Sequence, residues 1–263
     1  MTGPQVAWLP DGRRLHMNHG PIDLIVEAFG ADDERDAAYR QAAARFSTIL
    51  GELVEELPAL RTPSAGRPRR FAGSAARRME TAASRLSDGG RVFVTPMAAV
   101  AGAVADEVLA AMVDGRRLDR AYVNDGGDIA LHLAPGEALR LAIGGKDEMM
   151  ADRVLVRAED GVRGVATSGW RGRSHSLGIA DAVTVLAMDA ASADVAATLI
   201  ANAVDLPRHP AIGRTPAVEL APDSDLGERL VTTSVGALAA GEVAEALERG
   251  LAVAEDFRSR GLI

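Results

Sequence analysis

Residues 122–129 are Tyr-Val-Asn-Asp-Gly-Gly-Asp-Ile, a tight-turn sequence between two apolar segments. Asp-Gly pairs favour two-residue hairpin turns, because glycine adopts a positive φ without steric cost. We therefore predict a β-hairpin with Asp125-Gly126 as its central residues. Consecutive glycines also let backbone N–H groups approach an anion or a ring. The turn therefore has two open interpretations, a plain hairpin or a ligand contact that uses Asn124, Asp125, Gly126, Gly127 and Asp128.

Apolar periodicity on both sides of this turn predicts an α+β chain. Runs bounded by Gly, Pro and Asp predict strands at residues 6–9, 13–17, 22–28, 91–94, 121–123, 129–133, 139–143, 153–157, 162–166 and 182–187. Helical spacing predicts helices at residues 32–57, 75–86, 96–113, 192–204 and 238–258. Pro58 should end the first helix, and Thr95 should cap the third. We find no internal repeat or linker, so residues 1–263 should form a single domain.

Composition excludes several classes of function. The 263 residues are 48% hydrophobic and carry a net charge of −8, which argues against nucleic-acid binding. Cysteine is absent, so disulfides, thiol nucleophiles and iron–sulfur ligation are excluded. Lys146 is the only lysine and falls on a predicted surface turn, which argues against Schiff-base chemistry.

The chain shows no basic segment followed by an apolar run at its N-terminus, and no stretch of 18 consecutive apolar residues. We therefore expect a cytoplasmic protein without a membrane partner. The helix predicted at residues 96–113 is rich in alanine and glycine, so it can pack closely against a sheet or a second copy. We expect a homodimer.

A second motif occupies residues 164–175, Gly-Val-Ala-Thr-Ser-Gly-Trp-Arg-Gly-Arg-Ser-His. A predicted strand leads here into hydroxyl groups and two arginines, a combination that suits a bound carboxylate or phosphate. A plain exposed loop, with Thr and Ser bonded to local backbone, explains the same residues. His175 carries the only imidazole of the stretch and is the candidate general acid or base. The candidate site residues are Thr167, Ser168, Arg171, Arg173 and His175.

Two pairs of residues, one on a predicted helix and one on a predicted strand, are candidates for binding a metal ion. Asp194 and Thr198 lie four residues apart on a predicted helix, so their oxygens share one face. An acid near the start of a helix also serves the helix dipole. His16 and His19 would point to different faces of a strand, and no nearby carboxylate completes a metal site. A place for His19 at the edge of a ligand pocket is the better interpretation.

An arginine cluster follows the first long helix. It holds six positive charges without an acid among them and would either receive an anionic substrate or form a solvated loop. Its members are Arg61, Arg67, Arg69, Arg70, Arg77 and Arg78.

Together these segments resemble the ApbE superfamily, the FAD:protein FMN transferases, and look most like its branch of uncharacterised cytosolic proteins. The resemblance rests on the Gly-Gly-Asp turn at 126–128, the small-residue helix that ends in Asp106, the Ala-Thr-Ser-Gly strand end at 166–169, and the Asp194/Thr198 pair. It implies an ApbE-like, T-fold-like domain with antiparallel sheets packed against helices. It also implies that Asp194 and Thr198 hold a Mg²⁺ ion that contacts the FAD pyrophosphate.

The chain also departs from the transferases, since it lacks their Asp-Pro segment after the histidine and their N-terminal Met-Gly-Thr. The resemblance therefore implies an ApbE-like enzyme of unassigned reaction, acting on a small anionic or heteroaromatic ligand in the cleft where FAD sits in the transferases. The alternative is a Mg²⁺-dependent, FAD-binding FMN transferase or a flavin-binding module. A non-catalytic scaffold is a third interpretation.

Overall fold

The computed structural model describes residues 3–143 and 152–263, and these residues form an α+β fold. Lys146 lies outside the described residues. The strands are β1 Gln5–Trp8, β2 Leu15–His19, β3 Ile22–Gly30, β4 Leu118–Asp125, β5 Asp128–Leu133, β6 Ala138–Ile143, β7 Asp152–Arg157, β8 Gly164–Ser168, β9 Val183–Ala187, β10 Ile212–Pro216 and β11 Leu230–Val235. The helices are α1 Asp32–Leu60, α2 Ser74–Leu86, α3 Val100–Val113, α4 Ala190–Ala203, α5 Ala217–Leu220 and α6 Ala240–Ser259.

Seven strands form one antiparallel sheet in the order β1-β2-β3-β4-β5-β8-β9. The pairs β6-β7 and β10-β11 form separate two-stranded sheets. The main core lies between the large sheet and helices α1, α3 and α4, and it buries Phe46, Val104 and Val123 completely. Apolar burial of about 25 cal/mol per Å² is the chief stabilising contribution to such a core. The predicted α+β class with antiparallel sheets packed against helices is confirmed.

Three local predictions are wrong. Residues 91–94 form no strand, because they make isolated backbone hydrogen bonds, such as Val92 N–H to the Ser87 carbonyl and Ser64 N–H to the Val94 carbonyl, rather than a strand ladder. Pro58 lies inside α1, whose last turn tolerates one missing N–H, and the helix continues to Leu60. Thr95 makes no side-chain cap, since its hydroxyl bonds to the carboxylate of Asp225 instead.

The small-residue helix α3 packs against α4 as well as against the sheet. A Cβ added to Gly102 would lie 2.2 Å from the carbonyl oxygen of Ala190, so the two backbones touch at this point. The predicted close packing is therefore seen, with the start of α4 as the neighbour. Within the described residues, the segment Pro96–Val113 is long and apolar enough to cross a membrane by length and composition, and 56% of it is buried inside the fold. A core helix meets the same criteria.

Candidate functional site

A cleft of about 370 Å³ opens where the β4–β5 turn meets the end of β8 and the start of β9. Its polar wall comes from both sequence motifs, because antiparallel pairing of β5 with β8 and β8 with β9 brings those strand ends together. Apolar side chains of β5, β6 and β8 form the rest. The predicted residues that line it are Asn124, Gly126, Gly127, Thr167, Ser168 and Arg171.

The hairpin turn lies one residue later than predicted. Asp125 pairs with Asp128, and the loop consists of Gly126 and Gly127, with φ of 64° and 117°. Positive φ at both positions makes glycine the fitting residue at each. The N–H of Gly127 donates to the side-chain oxygen of Asn124 at 2.9 Å, so it is already engaged rather than free for an anion.

Hydroxyl groups cluster at the end of β8. Thr167 and Thr184 face each other across the β8–β9 pair, with their hydroxyl oxygens 2.9 Å apart. Thr198 of α4 contacts the next residue of the strand, with its hydroxyl oxygen 3.5 Å from that of Ser168, a long contact. Successive residues of a strand point to opposite faces, so this contact lies on the helix side of the sheet, and neither Thr198 nor Asp194 is among the cleft-lining residues.

Three carboxylates interact with one another on the side of the sheet that faces the helices. The period-2 alternation of β4 buries Ala121, Val123 and, two residues further, Asp125. Asp128 sits directly opposite Asp125 on the neighbouring strand, a cross-strand arrangement that is unfavourable for like charges. Asp194 of α4 is repelled by the negative charges of both aspartates, and it accepts a hydrogen bond from the Gly102 N–H at 3.0 Å.

Burial raises the pKa of each of these acids. The pKa of Asp125 rises to about 7, through loss of solvation and the neighbouring Asp128 charge. The pKa of Asp128 also rises to about 7 through burial, although the Thr167 backbone N–H partly offsets the rise. The pKa of Asp194 is raised by burial first and then by the charges of Asp128 and Asp125. At neutral pH the group therefore holds protons that ordinary aspartates have lost.

The positive charge of Arg173 offsets part of the rise in the pKa of Asp125. Its guanidinium also donates to the Pro21 carbonyl at 2.9 Å. In the described residues, no three His, Asp or Glu side chains converge on a metal position. Mg²⁺ nevertheless needs only one or two carboxylates besides water. The oxygen donors of Asp194 and Thr198, above a repelling pair of acids, fit that ion in chemical type.

Three other predicted residues, Arg171, His175 and His19, lie in different places. Arg171 donates to Asp181 at 2.7 Å, stacks on Trp170, and lines the cleft. His175 lies on the exposed loop between β8 and β9 and is not among the cleft-lining residues. His19 packs edge-on against Phe46, and its buried Nδ1 has no hydrogen-bond partner among the described residues.

Two sequence-based interpretations of charged residues need correction. A carboxylate does lie beside His16, because β2 pairs with β3 and Asp23 approaches to 2.5 Å. The arginine cluster is not a purely solvated loop. Arg69 binds the fully buried Glu80 at 2.7 Å, and Arg78 binds Glu107 at 2.8 Å.

The sequence analysis did not identify Thr184 as a site residue, and it did not predict the raised pKa values of Asp125 and Asp128. Alternation along β4 would have signalled a buried Asp125, since it follows Ala121 and Val123 in the inward phase. No local pattern marks Thr184, which becomes a site residue only through pairing with Thr167.

Antiparallel sheets under helices, with a Gly-Gly-Asp turn beside a Thr-Ser-Gly strand end, define an ApbE-like protein. The family model described as AbpE bacteria matches residues 6–263, and the chain belongs to that family. The recognised resemblance to the uncharacterised ApbE-like branch is confirmed.

The chain is similar to several archaeal proteins named UPF0280 protein. The one from Methanothrix thermoacetophila is 42% identical over 113 residues, which cover 42% of this chain and 46% of that protein. That from Methanopyrus kandleri is 42% identical over 110 residues, covering 41% and 43%. That from Methanothermobacter thermautotrophicus is 36% identical over 134 residues, covering 49% and 48%. The chain therefore spans about half the length of the curated relatives it matches.

One solved structure is also similar, that of the Pseudomonas stutzeri flavinyl transferase ApbE in its apo form. The match covers 89% of this chain and 96% of that chain, with 14% sequence identity and a TM-score of 0.43.

Proposed function

We propose that the protein is an ApbE-like enzyme that acts on a small anionic or heteroaromatic compound in the cleft of about 370 Å³. That volume lies within the range of about 300–1,000 Å³ usual for small-molecule sites. Ile129, Leu141 and Val165 give the cleft apolar walls for a planar ring, and Arg171 supplies a cation for an acidic group. Hydroxyl groups of Thr167 and Ser168 would orient the ligand.

The observation that carries the proposal is the group of interacting acids at the β4–β5 turn, next to the cleft-lining residues Gly127 and Ile129. A pKa of about 7 for Asp128 provides both proton-accepting and proton-donating forms at neutral pH. A catalytic acid or base operates best near such a value. Asp128 therefore joins His175 as a candidate for proton transfer, and its chain neighbours Gly127 and Ile129 line the cleft.

A second function is favoured by the same acids, namely Mg²⁺-dependent flavin binding or FMN transfer, as the family resemblance implies. Asp194 and Thr198 would hold the ion, and Mg²⁺ when bound would polarise a pyrophosphate. The chain's own residues would position the dinucleotide through the Ser168 and Thr167 hydroxyls. Arg171 would pair with an acidic group of the ligand.

A fluorescence titration separates the two functions. FAD is titrated into the wild type with and without Mg²⁺, and into Asp194→Asn, with Asp223→Asn on an exposed loop as the matched control. Saturable, Mg²⁺-dependent FAD binding that only Asp194→Asn abolishes would establish the second function. Absence of FAD binding to the wild type would reject it.

The first function is then tested by thermal shift with nicotinate and orotate as anionic heteroaromatic probes. We expect stabilisation of the wild type that is lost in Ser168→Ala and weakened in Arg171→Gln. Stabilisation that persists unchanged in both variants would show that the cleft is not the binding site. The cytoplasmic location and the homodimer stay predictions.

A further inference from the structure

A second cavity, of about 360 Å³, lies on the helical side of the molecule between α2 and the start of α4. It is separate from the cleft, because the two occupy opposite ends of the β8–β9 pair. Thr167 and Thr184 mark the cleft end of that pair, whereas Gly164 and Ala187 mark the other. Gly164 packs there against the backbone of Asp189, a residue of the cavity wall.

One face of α2 lines this cavity with basic and hydroxyl side chains. Ser74, Arg78, Thr81 and Arg85 recur at intervals of three or four residues, so they share a helix face. Arg77 lies beside them and also lines the wall. Three guanidinium groups therefore surround one cavity.

These guanidinium groups are only partly engaged. Arg78 uses its Nε for Glu107, at 2.8 Å, and Arg77 donates to the carbonyls of Phe71 and Ala72. Within the described residues, Arg85 makes no side-chain hydrogen bond or ion pair, and its side chain is exposed. Terminal N–H donors thus remain for a ligand that enters the cavity.

The acids in the same wall accept hydrogen bonds from backbone N–H groups at the start of α4. Asp106 accepts the backbone N–H groups of Ala190 and Ala191 at 3.0 and 2.9 Å. Asp189 accepts the N–H of Ser192 at 2.7 Å. The start of α4 is therefore already capped, and an anion in the cavity has to contact the arginines of α2.

We propose that this cavity binds a phosphate group, held by the guanidinium groups of Arg85 and Arg78. Guanidinium groups bind phosphate through parallel N–H donors, a geometry that an ammonium cannot reproduce. The cavity is large enough for a small molecule that carries the phosphate. This site is independent of the function proposed for the cleft.

Inorganic phosphate is the probe. It is titrated into the full chain at constant ionic strength, with chloride as the balancing ion, while backbone amide shifts are followed by NMR. We expect saturable shifts at Thr81, Ala191 and Ser192. Arg85→Gln should weaken the affinity at least tenfold, and Arg85→Lys should retain part of it. The matched control is Arg40→Gln, the same substitution on an exposed face of α1.

Arg85 is exposed, so its variants should keep the wild-type circular dichroism spectrum and melting temperature. Phosphate binding of equal strength in the wild type and Arg85→Gln would overturn the proposal. So would the absence of saturable shifts, or shifts confined to Thr167 and Ser168 at the cleft.

Discussion

Glu80 is a buried carboxylate whose role is structural. It is completely buried and accepts hydrogen bonds from Ser64, Ser84 and both the backbone and the guanidinium of Arg69, at 2.7 to 3.2 Å. Burial tends to raise the pKa of Glu80, but these donors outweigh it and the pKa is lowered. The carboxylate thereby fixes the loop between α1 and α2.

Removing this carboxylate should be costly. Glu80→Ala leaves Arg69 without its partner, and breaking a buried pair costs about 3–5 kcal/mol of unfolding free energy. The matched control is Glu245→Ala, which removes an exposed i,i+4 partner of Arg249 and should change stability by less than about 0.5 kcal/mol. Urea unfolding measures both. Equal effects of the two substitutions would contradict this role.

The sequence could not assign these partners. Arg69 belongs to a run of arginines that looked unpaired, and Glu80 lies eleven residues away on the next helix. Arg69 and Glu80 come together only because the loop between α1 and α2 folds back against α2. By contrast, the candidate residues Thr167, Ser168 and Gly127 were found from local motifs, because turns and strand ends are determined largely by residues that are neighbours in the sequence.

The contact between α3 and α4 depends on the absence of a side chain at Gly102. A Cβ there would meet the Ala190 carbonyl oxygen at 2.2 Å and the Ala191 nitrogen at 2.8 Å, and both are backbone atoms that cannot rotate away. We therefore expect Gly102→Ala to destabilise the protein by roughly 1–3 kcal/mol or more, since overpacking forces the helices apart.

The matched control for this contact is Gly241→Ala in α6, where an added Cβ meets no atom within 4 Å. It should leave stability unchanged or raise it, because alanine favours helix over glycine. Thermal denaturation compares the two variants. A wild-type melting temperature for Gly102→Ala would show that the close contact does not exist in solution.

At the scale of elements, the sequence predicted most helices and all seven strands of the large sheet to within a few residues. The strand prediction for residues 91–94 is wrong because an apolar run without a neighbouring strand makes no ladder hydrogen bonds that would hold it extended. The hairpin β10-β11 was missed, since β10 carries Gly, Arg and Pro rather than alternating apolar residues. The turn sequence predicted the pairing of β4 with β5, but β3 with β4 and β5 with β8 are distant in sequence, and no local pattern indicates that they pair.

The stability of the whole molecule should fall as pH rises through neutrality. Asp125 and Asp128 have folded-state pKa values of about 7, above the ordinary 3.8, so the folded state binds more protons than the unfolded state between these values. Unfolding free energy then decreases with pH, by up to about 1.4 kcal/mol per pH unit for each group. Glu80 and Glu107, with lowered pKa values, lose their contributions only at more acidic pH.

Urea unfolding between pH 5.5 and 8.5, in EDTA, checks this slope. We expect lower stability at pH 8.5 than at pH 5.5, and a smaller difference when Mg²⁺ replaces EDTA. Stability that rises across this interval would contradict the raised pKa values.

We propose that Asp128 is retained at a cost to stability because it serves proton transfer on a ligand. Functional sites commonly retain such unfavourable groups. Asp128→Asn keeps an oxygen acceptor for the Thr167 N–H and removes the charge opposite Asp125. The decisive measurement is the melting temperature of Asp128→Asn and of the wild type at pH 8 without divalent cations. We expect a higher melting temperature for the variant, and an equal or lower value would contradict a destabilising role of Asp128.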